Sequence, residues 1–311
     1  MEIYQQKLKL VNDFIEQELY QTIPNDKIKE MTIHALTGGK RLRSILGLII
    51  GKKIQQRNGY SLNLSKCIVF IESLHNVSLI IDDIPCMDND KFRRGSETIH
   101  YKYGIRAAQI LSSYILAKSF KLLYSNIKEI QDKDVIEPSI LEDNIIEIYR
   151  NINRNLGIMG AAGGQFIDTC PINPFMDKEE YISKYSSKAD LEELIYLKTT
   201  TFYEIAFITP FLLSGGNKEH LSDLRKAVRY FGLFFQLSDD FEDVEQDSTR
   251  DNECNPNFVV KFGYLKAEEL FYKSIDCFKS MMLKLDIYDP VFDEIIDYLI
   301  IKVKKHNKNQ T

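Results

Sequence analysis

Apolar residues recur at i, i+3 and i+4 along nearly the whole chain, and that period confines it to helices. Segments near 3–21, 27–35, 41–57, 64–83, 104–128, 139–158, 178–213, 219–243 and 264–303 carry it. No run alternates as a half-buried strand does. Gly38-Gly39, Pro85, Gly95, Gly104, Pro171 with Pro174, Gly215-Gly216 and Pro256 punctuate the periodic runs as breakers. The stretch from Ser125 to Glu142 is the most polar and reads as a surface excursion. Residues 302–311, KVKKHNKNQT, read as a flexible tail. With 44% hydrophobic residues in 311, the chain has the apolar content for a large core. No Pro/Gly/Ser-rich linker separates unlike halves, and no solenoid period repeats. The expected fold is all-α, a single multi-helix domain spanning 1–311.

Charge narrows the function. A net charge of -5 gives no electrostatic footprint for nucleic acid, so any anion site must be a local cluster of cations. The five cysteines, Cys67, Cys86, Cys170, Cys254 and Cys277, are scattered, odd in number and without a CxxC. A disulfide framework is not expected, and a reducing, cytoplasmic setting is. The first residues, MEIYQQKLKLVNDFIEQELY, show neither a signal-peptide core nor the acid-poor look of a transit peptide. No transmembrane segment is expected, since no uncharged apolar run is long enough to span a bilayer.

Two apolar segments end in carboxylates. The first is LIIDDIPCMDND, with Asp82, Asp83 and Asp88; the second is FFQLSDDFEDVEQD, with Asp239, Asp240, Asp243 and Asp247. On a helix Asp239, Asp243 and Asp247 share one face, where like charges cost about 0.2–0.5 kcal/mol per pair. Carboxylates at a helix C-terminus also oppose its dipole, by about 0.3–1 kcal/mol each. One such cluster is ordinarily a solvated helix end. Two with the same grammar point to Mg²⁺, a hard cation held by a few carboxylates together with substrate phosphates. In the first cluster Pro85 breaks the helix after Asp82 and Asp83, and Asp88 returns from the turn. His75 lies two turns earlier on the same face.

Cations accompany both clusters. GGKRLRS places Lys40, Arg41 and Arg43 at the start of an apolar helix, where Gly38 and Gly39 let backbone N–H groups approach an anion. FRRG follows the first cluster with Arg93 and Arg94, and YLKTTTF sets Lys198 and Thr199 in an apolar run. Arginine offers bidentate donors to phosphate oxygens.

In this order, GGKRLR, LHNVSLIIDDIPCMDND with RRG, GGQFIDT, KTT and FQLSDDFED resemble the trans-isoprenyl diphosphate synthases, the all-α prenyltransferases. The wording is most similar to the members that make geranylgeranyl diphosphate. The resemblance implies an isoprenoid-synthase helical bundle with a central cavity, working as a homodimer on isoprenoid diphosphates. It implies Mg²⁺, about three ions per active site, held between carboxylates and phosphates. Carried over by motif, Asp82, Asp88, Asp239 and Asp243 are the implied metal ligands, with Asp83 and Asp240 supporting. Arg93 and Lys198 are implied to contact the allylic diphosphate, and Lys40, Arg43, His75 and Arg94 to hold isopentenyl diphosphate. Thr199 and Gln236 correspond to oxygen-bearing positions near the developing cation. Val77 and Ser78, just upstream of Asp82, correspond to the chain-length positions. Being small, they leave the slot open past a farnesyl tail, toward Leu74 and Ile71, and so toward geranylgeranyl diphosphate.

The sequence departs from the family pattern at Ser44, where proline is usual, and at Thr200, where glycine is common. The loop after the second cluster has no lysine before Lys261; Asn255 stands about where one is expected, with Arg250 nearby. The alternatives are a farnesyl diphosphate synthase, a non-catalytic partner subunit of the same fold, a terpene cyclase, and a di-iron carboxylate bundle. The last is suggested by Glu72-x-x-His75 and Glu97-x-x-His100.

Overall fold

The computed structural model describes residues 2–168, 187–248 and 257–307. The positions Cys170, Pro171, Pro174, Arg250, Cys254, Asn255 and Pro256 singled out above lie outside them. The described residues are overwhelmingly helical and fall into two compact units: residues 1–147 with 209–216, and residues 148–208 with 217–311.

The first unit begins with α1 (Glu2–Glu18), α2 (Asp26–Leu36), α3 (Leu42–Asn58) and α4 (Ser65–Asp82). A two-residue hairpin follows, β1 (Phe92–Arg93) antiparallel to β2 (Ser96–Glu97), then α5 (Ile99–Tyr103) and α6 (Ile105–Lys133). The helix α4 buries Cys67, Ile68, Val69, Phe70, Ile71, Leu74, Val77 and Ile80 all round its axis, as a central helix must. It packs against α1, α3 and α6. Its acidic end is thereby delivered by the most constrained helix of the unit.

α7 (Pro138–Leu156) leads toward the second unit, which contains α8 (Ala161–Asp168), α9 (Lys188–Ile195) and a π-turn at Tyr196–Thr200. α10 (Thr201–Leu213), α11 (Leu221–Glu242), α12 (Val244–Asp247), α13 (Phe258–Phe262), α14 (Tyr264–Lys284) and α15 (Pro290–Asn307) complete the order. In the second unit α11 packs against α14 and α15. Phe231, Phe234 and Phe292 each meet Phe278 edge to face, at centroid distances of 5.3, 5.7 and 5.3 Å.

Three expectations are corrected. The polar stretch from Ser125 is no excursion: α6 runs to Lys133, because Ile127 and Ile130 keep the period and are buried. The chain turns only at Asp134, which adopts a left-handed φ of 51°. The run 264–303 is two helices, since Asp286 is left-handed (φ 54°) and Pro290 opens α15 at a position where its missing N–H costs nothing. The expected tail is helical to Asn307, with Val303 fully buried.

The entry to α3 is held by a buried ion pair. Arg41 caps the helix in a left-handed conformation (φ 55°), and its Nη1 donates to Glu72 Oε1 at 3.0 Å. Its Nε donates to Asn12 and its Nη2 to the Leu36 carbonyl. Ser44, the unexpected residue, donates to the other Glu72 oxygen at 2.8 Å. A proline there would lose this bond. Arg41→Ala leaves Glu72 charged and buried, so it should cost about 3–5 kcal/mol of stability, read as a fall in the urea midpoint.

Candidate active site

The first unit carries the first acidic cluster. α4 ends at Asp82, and the Asp88 N–H donates to the Asp82 carbonyl at 2.9 Å, which closes the turn and returns Asp88 beside Asp82. Asp82 is half-buried and Asp88 exposed, whereas Asp83 is turned inward. Arg93 Nε donates to Asp83 Oδ1 at 2.5 Å, and its Nη2 to Asp90 at 3.3 Å. Burial pushes the Asp83 carboxyl up, against the pull of Arg93. The Arg93 guanidinium is therefore steered by the cluster it follows.

Arg94 and Gly95 form the centre of the hairpin with φ of 54° and 76°, the mirror-image turn that suits a twisted two-strand ribbon. Glycine takes this conformation freely; arginine does so at a cost of about 1–2 kcal/mol. The Arg94 side chain lies over the glycine pair: a Cβ on Gly39 would come within 2.8 Å of Arg94 Nη1 and 2.6 Å of Arg41 Nη1. The second glycine thus makes room for two guanidiniums. Arg43 Nη1 stands 3.1 Å from His75 Nε2. Burial, then Arg43, Arg94, Arg93 and Arg41, hold the imidazole well below its ordinary value of 6.5. It is neutral, so its Nε2 accepts from Arg43. With Arg41 paired to Glu72 and Arg93 to Asp83, Arg43 and Arg94 beside the neutral ring are the cations that give this pocket anion-binding chemistry. Lys40 is exposed, its carbonyl held by the Tyr4 hydroxyl. Val77 is buried, and the half-buried Ser78 donates to the His75 carbonyl at 2.9 Å.

The ExxH pairs are engaged elsewhere. Glu72 is taken by Arg41 and Ser44, His75 faces Arg43, and the His100 ring bonds the Asp90 carbonyl at 2.8 Å. They lend the di-iron reading nothing.

The second unit carries the other cluster, beside an open cleft lined by Lys198, Thr199, Gln236, Asp240 and Asp243 among others. The π-turn presents Lys198 and Thr199, a local widening that is frequent at functional sites. Two glycines shape it. A Cβ on Gly164, within the GGQ motif, would stand 2.9 Å from the Leu197 carbonyl carbon. A Cβ on Gly232 would stand 2.0 Å from Thr200 Oγ1. Thr200, where the family commonly has glycine, thus fits because the glycine is on α11 instead.

A hydrogen-bond chain crosses the cleft wall. Thr199 Oγ1 donates to Gln236 Oε1 at 2.7 Å, and Gln236 Nε2 donates to Asp240 Oδ1 at 2.9 Å. The Phe258 N–H takes the other Asp240 oxygen, and Asn257 Nδ2 reaches the Asp240 carbonyl and Asp247 Oδ2. Burial pushes the Asp240 carboxyl up to about 7. Both its oxygens serve the wall, while Asp239 is half-buried and Asp243 exposed. Burial, then Asp239 and Asp247, push Asp243 up. Lys302 of α15, placed in the tail by the sequence, lies 2.5 Å from Asp239 Oδ1 and 2.6 Å from Glu242 Oε2. No local pattern signals this contact, which spans 63 positions.

Among the described residues no three His, Cys, Asp or Glu side chains are gathered as a closed metal site. The donor chemistry nevertheless suits Mg²⁺: oxygen-only ligands, mutually repelled at Asp239 and Asp243, with an ammonium already drawn to Asp239.

The helical order and the acid-ended helices define the isoprenoid-synthase class of fold. The geranyltransferase of Helicobacter pylori shares it, with a TM-score of 0.71, 24% identity and 97% of each chain covered. So does the geranyltranstransferase of Thermotoga maritima, with a TM-score of 0.71 and 21% identity over 97% of this chain and 99% of that one. Residues 25–253 match the polyprenyl synthetase family, and the chain belongs to it. It is 29% identical to a chloroplastic geranylgeranyl pyrophosphate synthase of Catharanthus roseus over 245 residues, 78% of this chain and 62% of that one. It is 25% identical to a trans-prenyltransferase of African swine fever virus over 294 residues, 91% and 81% of the two chains. The chain spans 62% and 54% of the length of the Catharanthus relative and of a second plant relative, geranylgeranyl pyrophosphate synthase 3 of Arabidopsis thaliana. Among the described residues no helix is long and apolar enough to cross a membrane.

Gly232→Ala should displace Thr200 and lower activity, and adding Thr200→Gly should restore it; two independent losses would show that the sites do not share the space. The depressed His75 value makes stability acid-sensitive. Unfolded, the ring protonates near 6.5; folded, only well below it, so stability is full above 6.5 and falls as pH drops. His75→Gln should shrink the difference in urea midpoint between about pH 5.5 and 8.

Proposed function

We propose that the protein is a Mg²⁺-dependent prenyltransferase that joins isopentenyl diphosphate to an allylic diphosphate and releases geranylgeranyl diphosphate. The observation that carries this reading is the division of labour in each acidic cluster. One carboxylate, Asp83 or Asp240, is buried and holds neighbouring groups, while its companions are more open: Asp82 and Asp239 are half-buried, and Asp88 and Asp243 exposed. Residues 1–311 act in it as one catalytic domain.

In this reading Asp82, Asp88, Asp239 and Asp243 would carry the metal that binds allylic diphosphate. When bound, Mg²⁺ neutralises charge collecting on the leaving diphosphate. Arg93 and Lys198 contact that diphosphate directly, and Asp83 orients Arg93. Lys40, Arg43, His75 and Arg94 hold isopentenyl diphosphate; the neutral ring accepts from Arg43 and turns that guanidinium. The allylic C1–O bond breaks with its electron pair going to diphosphate. The isopentenyl double bond then forms the new C–C bond, and a proton passes to the released diphosphate. Thr199 and Gln236 present oxygens toward the developing positive charge, and Leu191, Leu194 and Ile195 supply the apolar part of the same cleft.

Val77 and Ser78 set the product length, neither being large enough to stop a farnesyl tail. The partner is a second copy of the chain: α6 leaves the large apolar side chains Ile105, Ile110, Leu116 and Tyr124 exposed among polar ones, a surface that a homodimer would cover.

Incubation with isopentenyl diphosphate, Mg²⁺ and each allylic starter, with products read by mass, tests the reading. No diphosphate release with any starter sinks it, and a farnesyl product moves it to the shorter-chain enzyme. Asp82→Ala or Asp239→Ala should lower turnover by roughly 10²-fold or more with the fold retained. Val77→Phe should shorten the product; unchanged length would place the floor on another residue.

A further inference from the structure

Among the described residues, Lys302 is a cation that the structure brings onto Asp239 from a distant part of the second unit. Its side chain is 9% exposed, and its Nζ sits between Asp239 Oδ1 at 2.5 Å and Glu242 Oε2 at 2.6 Å. An ammonium is costly to bury without partners. Burial works against its charge, yet Asp239 and Glu242 together hold the ammonium above its usual range. The two carboxylates need it equally. They close α11 one turn apart, where the helix dipole opposes both, and the last turn of α11 has no basic residue of its own.

A divalent cation on Asp239 and the Lys302 ammonium seek the same carboxylate and repel each other. Glu242 offers a way out. It already shares the ammonium, so Lys302 can give up Asp239 without being left buried and unpaired. We propose that Lys302 is a built-in counter-cation of Asp239, which metal displaces toward Glu242. This rests on the reading of Asp239 as a metal-bearing carboxylate. Loading of the second cluster is then an exchange of cations rather than a simple addition. The last helix, α15, is coupled to it through this one side chain. The coupling runs both ways: whatever factor Lys302 takes from metal affinity, metal takes from the hold of Asp239 on Lys302.

The test uses the full chain and Mn²⁺ as probe, with free metal followed by electron paramagnetic resonance. Lys302→Met should bind Mn²⁺ tighter by roughly fivefold or more. Lys302→Gln, which keeps hydrogen bonds but no charge and guards against misfolding, should shift the same way. Lys302→Arg should stay near wild type, and Asp239→Asn should lose affinity. Independently, the reactivity of the Lys302 amine toward an acylating reagent, read by mass spectrometry, should rise when Mn²⁺ is added. If Asp239→Asn weakens binding but Lys302→Met and Lys302→Gln leave it unchanged or weaker, Lys302 orients Asp239 rather than competing, and the inference fails while the metal assignment stands. If Asp239→Asn binds as wild type, the metal assignment itself fails. Amine reactivity unmoved by bound Mn²⁺ also overturns the exchange.

Discussion

The rest of the structure depends on carboxylates crowded at the C-terminal ends of apolar helices. Neither α4 nor α11 gains from ending this way: like charges repel, and the dipole opposes them. Each unit therefore supplies a cation of its own from later in the chain. Asp83 receives Arg93 from the hairpin ten residues on, and Asp239 receives Lys302. Arg93 and Lys302 each offset part of the repulsion in their own cluster, at Asp83 and at Asp239.

Close packing around small residues fixes the cationic side chains. Arg94 can lie over the Gly38-Gly39 turn because Gly39 has no Cβ to meet its guanidinium. The π-turn that presents Lys198 and Thr199 is pressed by Gly164 along its backbone and by Gly232 at Thr200. These glycines supply space rather than flexibility. Ser44 and Thr200 then cease to be anomalies. Ser44 completes the shell of the buried Glu72, and Thr200 fills the gap that Gly232 leaves.

The helical fold and the carboxylate ends were legible because their signals are local: period, breaker and adjacent charge. Asp82, Pro85 and Asp88 state a helix, its stop and a return within seven positions. Local signals failed where the outcome turned on one backbone conformation, as at Asp134 and Asp286, both left-handed. They failed again where a polar surface masked a sparse apolar period, as at Ile127 and Ile130. Arg41 read as one more anion-binding cation, yet its guanidinium is spent on Glu72, a partner 31 positions away. Lys302 read as tail. Nothing within a helical turn of either residue announces its partner, and burial of a charge shows only after the chain has folded.

The inward carboxylates also order the events that binding demands. Asp240 holds Gln236, and Gln236 holds Thr199, so an oxygen-bearing wall exists before any ligand arrives. The same holds for Arg93 on Asp83 and for Arg43 on neutral His75. Such groups need little reorganisation when charge develops beside them, which is where electrostatic stabilisation is most effective.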